Sequence, residues 1–138
     1  MSTRTTPSAD DWLREAKQDP SAAQCGMFLL HNGIVRQSAR EEVRNGAQGL
    51  PPVVGMHFSY DAEKVSAAKN KALAMPGIFY VRIWLTEGVL SVGEDIMLVL
   101  VGGDIRPHVV DALQALVGEL KNHCVIEKEI PSSEGQGA

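Results

Sequence analysis

Residues 96–130, IMLVLVGGDIRPHVVDALQALVGELKNHCVIEKEI, decide the fold. Ile96 to Val101 is an unbroken apolar run, the pattern of a central strand buried on both faces. Gly102-Gly103 breaks it. A helix then starts near Asp104 and runs to about Asn122. Val109, Leu113, Leu116, Val117 and Leu120 recur at helical spacing, so one stripe faces a core. Pro107 is tolerated because it falls in the first turn, where a missing N–H costs no helical bond. Cys124 to Ile130 is the last strand.

Working outward, Ile78 to Leu85 is rich in β-branched and aromatic residues and reads as a strand. Gly88 to Gly93 reads as a turn region. A helix over Ala62–Ala74 has Asp61 as its N-cap and Pro76-Gly77 as its stop. Its inner face is Val65, Ala68, Ala72 and Leu73. Val53 to Ser59 and Met27 to Val35 are two further strands. Between them lies QSAREEVRNGAQGLPP, residues 37–52, an irregular connection long enough to be a mobile functional loop. Trp12 to Lys17 forms a short helix ended by Asp19-Pro20. Residues 1–10 and the tail 131–138 are polar and expected to be loose. The order is strand, strand, helix, strand, strand, helix, strand. It predicts an α+β fold with helices packed on a mixed or antiparallel sheet.

The whole chain of 138 residues makes one domain. Its net charge of -4 disfavours a phosphate backbone as partner, and seven aromatic residues are too few for a base-stacking platform. The longest apolar run is too short to cross a bilayer, and the N-terminus has no secretory apolar segment. Cys25 and Cys124 cannot make a disulfide framework, which suits a reducing, cytoplasmic setting. No pair among His31, His57, His108, His123 and the cysteines has metal-ligand spacing, so neither a metal nor another cofactor is expected. His31 alternates with apolar residues and reads as a satisfied structural histidine. No GxSxG, P-loop or GxGxxG motif is present.

Candidate chemistry gathers at three places. In ELKNHCVIEKEI, Lys121 ends the long helix and Lys128 follows seven residues later. Alternation puts Cys124, Ile126, Lys128 and Ile130 on one strand face and Val125, Glu127 and Glu129 on the other. Lys128 on an apolar face either loses hydration, which lowers its pKa, or snorkels past an edge strand. At GGDIRPHVV, Gly103 and free N–H groups, with Arg106 and His108, could hold an anion, although many helices begin this way. Arg36 ends a strand and opens the long loop, where it is either solvated or an anchor for a carboxylate or phosphate.

These pieces resemble the large, catalytic subunit of molybdopterin synthase over about Cys25 to Ile130. The matching elements are Gly26 with GIVR at 33–36, EGVLSVGEDI at 87–96, GGDIRPHVVDAL at 102–113 and ELKNHCVIEK at 119–128. The resemblance implies an α/β-hammerhead-like fold and a homodimer. It also implies a small ubiquitin-like sulfur-carrier subunit whose thiocarboxylate tail enters the pocket. Sulfur would pass to cyclic pyranopterin monophosphate in molybdenum cofactor biosynthesis, with no metal in this step. By the same resemblance Lys121 and Lys128 are the catalytic residues, while Arg36 and Arg106, helped by Gly103 and His108, hold the anionic groups. The chain departs from the family at Ile105, where a histidine is usual. Glu127 replaces an aromatic, Ile130 an acidic residue, and Leu85-Thr86-Glu87-Gly88 an H-R-[IV]-G segment, and the C-terminal tail is short. Two alternatives stand beside sulfur transfer. One is a catalytically degenerate relative that binds a carrier tail or small anion as a regulatory module. The other is an unrelated α+β ligand-binding domain with an anion site at its second long helix.

Overall fold

The computed structural model describes residues 4–46 and 48–132. In chain order it runs α1 (Ala9–Gln18), β1 (Met27–Ile34), α2 (Arg40–Asn45), β2 (Val53–Tyr60) and α3 (Ala62–Leu73). It continues through β3 (Ile78–Leu85), β4 (Gly88–Ser91), β5 (Asp95–Gly103), α4 (Arg106–Glu119) and β6 (Val125–Pro131). The architecture is α+β, as expected, and both sheets are antiparallel: β1-β5-β3 and β4-β2-β6.

The apolar run of β5 explains the layering. Side chains alternate along a strand. Met97, Val99 and Val101 join the main core with Val109, Ala112 and Leu116 of α4 and Ala68 and Ala72 of α3. Leu98 and Leu100 point the other way, onto Trp12 and Ala16 of α1 and Trp84 of β3. The sheet is thus covered on both faces. Each fully buried aliphatic side chain contributes about 1.5–3 kcal/mol against exposure, so β5 is where substitution costs most. Small residues on α3 let it lie close to the sheet, while Leu73, expected inward, is 36% exposed. The second sheet turns Met56, Phe58 and Leu90 into the main core.

Several local expectations change. Ser8 accepts the Asp11 N–H as N-cap, so α1 starts at Ala9, ahead of Trp12. Within the segment expected to be loose, Thr6 Oγ1 donates to Asp95 Oδ2 at 2.8 Å and Arg4 bonds the Tyr60 hydroxyl. Residues 1–3 and 133–138, also expected to be loose, lie outside the described residues. Gly88–Ser91 is a strand paired to β2, and the turn shrinks to the residues around Gly93, whose φ of 91° favours glycine. The connection over 37–52 contains α2. The long helix ends at Glu119 and continues as a single π turn, Leu120–Cys124, in which the Val125 N–H reaches the Leu120 carbonyl.

The face assignment on β6 is inverted. Alternation holds, but β2 sets which side is inner: Glu127 and Glu129 lie opposite buried Phe58 and Met56, and Lys128 lies opposite exposed His57. Ile126, on the Lys128 face, is 68% exposed.

Candidate functional site

A cleft of about 300 Å³ opens where the end of α4, the inner face of β6 and the loop after β1 converge. Arg36, Arg40, Arg44, Lys121 and Lys128 line it, together with Glu127 and Glu129. Ile34, Met56 and Ile96 are among its apolar walls.

Each cation is placed by its local backbone. Arg36 follows Val35, which is 1% exposed. Val35 N–H bonds the Glu94 carbonyl, Gly93 N–H bonds the Val35 carbonyl, and Val53 N–H bonds the Gln37 carbonyl. The chain is therefore pinned on both sides of Arg36. Its Nε donates to the Ser38 carbonyl at 3.0 Å, which fixes the guanidinium's orientation.

Lys121 sits in the π turn, a geometry that recurs at functional sites because it re-aims side chains at a helix end. Its Nζ lies 3.7 Å from Glu127 Oε2, and the two side chains are 32% and 12% exposed. At that length the pair is loose enough for a ligand anion to compete with Glu127. Lys128 reaches the cleft from the solvated face of β6 and not from an apolar one.

The structure separates the remaining sequence candidates from this cleft. Arg106, Gly103 and His108 stand at the opposite end of α4, about 20 Å away by helix rise. There they build a structural knot. His108 Nδ1–H donates to Asp104 Oδ1 at 2.8 Å, and the Ile105 N–H reaches the same oxygen at 2.6 Å. The His108 hydrogen bond is the main reason the Asp104 carboxyl lies below its ordinary range. Gly77, with φ of 76°, passes so close that an added Cβ would strike both Asp104 and His108. Gly103 accepts the Gly26 N–H at 2.7 Å, closing the strand ends. His108 is therefore a brace. Within one chain the expected grouping of Arg36, Arg106 and Lys121 does not form.

Arg40 and Arg44 are cleft residues that sequence reasoning missed. Their signal was the i,i+4 spacing in REEVR, which places both on one helix face. A six-residue helix without an apolar stripe gives no periodicity to read. His31, expected to be satisfied, is not: its Nε2 is buried and has no hydrogen-bond partner among the described residues. Burial, then the positive charge of Lys121, pushes its pKa below the ordinary 6.5. Cys25 and Cys124 are unpaired, and burial is the main cause pushing both thiols up, so neither is a ready thiolate nucleophile. Among the described residues no three His, Cys, Asp or Glu side chains group as a metal site, and no helix is long and apolar enough to cross a membrane.

A family model described as MoaE protein matches residues 3–123. No curated protein matches the chain by sequence. Solved structures share its architecture at low identity. A molybdopterin synthase from Staphylococcus aureus is 16% identical with a TM-score of 0.68, over 91% of this chain and 87% of that one. A molybdopterin biosynthesis MoaE protein from Burkholderia ambifaria is 15% identical, also at 0.68, over 92% and 81%. A complex of subunits 1 and 2 of the molybdopterin-converting factor from Helicobacter pylori matches at 17% identity and 0.59, over 92% and 86%.

Proposed function

Because the chain belongs to the MoaE family and so to molybdenum cofactor biosynthesis, we propose that its cleft is a sulfur-transfer site. The thiocarboxylate tail of a small sulfur-carrier subunit enters beside Lys121 and Lys128, and its sulfur passes to cyclic pyranopterin monophosphate while water takes its place on the acyl carbon, so that the carrier leaves as the carboxylate. The observation that carries this reading is the convergence of Arg36 with Lys121 and Lys128, from distant parts of the chain, on one cleft. These are three of the four cations matched to the family's site residues.

The chemistry follows from charge. Thiocarboxylate and phosphate are both anionic, and among the described residues five cations against two carboxylates leave a positive surplus to hold them together. Lys121 moves from Glu127 to the incoming tail and can carry a proton at its Nζ, while Lys128 closes the outer side. The protein acts as a homodimer in the cytoplasm. The unpaired cysteines suit that compartment. Arg106, remote from the cleft of its own chain, can serve the reaction only from a second copy.

A second reading is favoured by one feature. Glu127, standing where the family has an aromatic, already neutralises Lys121. A carrier-binding module without chemistry would keep that pair closed. The test is incubation with a thiocarboxylated carrier and the pterin, followed by mass spectrometry of the carrier. Conversion of thiocarboxylate to carboxylate that requires the pterin supports transfer. Binding of the carrier without conversion supports the module.

A further inference from the structure

Arg40 and Arg44 are one helical turn apart on α2, and both line the cleft beside Arg36. The start of α2 is tethered over the opening. Ala39, just before it, is buried in the main core, and the Arg40 N–H donates to Glu129 Oε2 at 3.1 Å. Both cleft carboxylates are therefore engaged elsewhere, Glu127 with Lys121 and Glu129 with the α2 backbone. Among the described residues no carboxylate lies within ion-pair distance of the Arg36, Arg40 or Arg44 guanidinium. The chain as a whole carries a net charge of -4, yet it concentrates three guanidinium groups at one mouth. Like charges held together repel, and an anion among them removes that cost and gains charge-assisted hydrogen bonds.

We propose that Arg40 and Arg44, together with Arg36, form a phosphate grip that selects the phosphorylated substrate and holds it against Lys121. This rests on the sulfur-transfer reading and adds the residues that choose the substrate. Charge favours phosphate at the arginines: the lysines already flank the place for a single-charged tail, and among the described residues five cations line the cleft against two carboxylates, more than one such tail neutralises. The planar guanidinium donors can then take pairs of phosphate oxygens bidentately.

The test titrates the full chain with inorganic phosphate and, separately, with a peptide ending in Gly-Gly, at constant ionic strength because exposed charges are screened by salt. Amide NMR shifts report both. Arg40 and Arg44 are exposed, so the double variant Arg40→Gln/Arg44→Gln should melt like the wild type. Its phosphate affinity should fall by about tenfold or more, since charge-assisted bonds are the strong kind. The peptide affinity should hold within about threefold, because Lys121 and Lys128 remain. Arg40→Lys/Arg44→Lys should recover only part of the loss. Unchanged phosphate binding in the Gln variant overturns the grip, as does a wild type that binds no phosphate. Loss of peptide binding with phosphate binding intact also overturns it, by assigning the arginines to the carrier tail. Phosphate binding that depends on Arg40 and Arg44, in a protein that never consumes carrier thiocarboxylate, keeps the grip and removes the sulfur-transfer reading. Sulfur transfer with an unchanged KM for the pterin in the Gln variant does the reverse.

Discussion

At the scale of single residues the proposed sulfur transfer turns on Lys121. It ends a helix, lies partly exposed and fills no core volume, so Lys121→Ala should leave the melting temperature close to wild type. A positioned proton donor contributes about 10²–10⁴-fold, so the same variant should slow sulfur transfer by that order. Lys128→Ala should cost less, because its side chain projects from the solvated face of β6. Steady-state rates beside thermal melts separate the two, and equal losses would contradict the assignment. His31 gives a second check. Neutral in the fold, it titrates below 6.5. The unfolded chain takes the proton first as pH falls, so its contribution to stability is full above pH 6.5. That contribution is lost as pH drops from 6.5 toward the folded value. Lys121→Met removes a repelling charge and should raise the His31 pKa in an NMR titration; an unchanged value would show that the two side chains do not interact. Lys121, Lys128 and Arg36 were legible in the sequence because spacing and family pattern marked them. The state of His31 was not, because strand alternation says nothing of whether a ring nitrogen finds a partner.

At the scale of elements, long and strongly patterned segments were readable. The β5 run and the α4 stripe fall where the pattern puts them, since a two-sided apolar strand and a 3.6-residue stripe each have one stable burial. Errors cluster where tertiary pairing overrides local signal. The inner face of β6 is chosen by Met56 and Phe58 on β2, which no inspection of β6 alone reveals. α2 is too short to announce itself. It is tethered at its first turn, and its described side chains, Arg40, Val43 and Arg44, are exposed, so its amides should exchange with solvent far faster than those of β5 in the free protein. Phosphate should slow them if the arginines grip it. Hydrogen-exchange mass spectrometry reads both, and α2 protection equal to that of β5 without ligand would show that the helix is fixed rather than adaptable.

At the scale of the whole molecule, the outer face of the second sheet leaves apolar side chains in water: Val54 is 51% exposed, Val89 43% and Ile126 68%. Together with the outer strands β1, β3, β4 and β6, each paired on one side only among the described residues, they favour a second copy of the chain. Sedimentation should give twice the 14.9 kDa chain mass, and a monomer at micromolar concentration would contradict this. A dimer also offers the only route for Arg106 into a cleft, since α4 holds it at the far end of its own chain. Mixed dimers of Lys121→Ala and Arg106→Ala chains should then recover part of the activity that neither variant shows alone. Everything above depends on the cleft at the end of α4 transferring sulfur. The most direct measurement is dithiolene formation from cyclic pyranopterin monophosphate and thiocarboxylated carrier. The wild type should produce molybdopterin, and Lys121→Ala should produce almost none while still folding. A folded wild type that binds the carrier and forms no dithiolene would contradict the account.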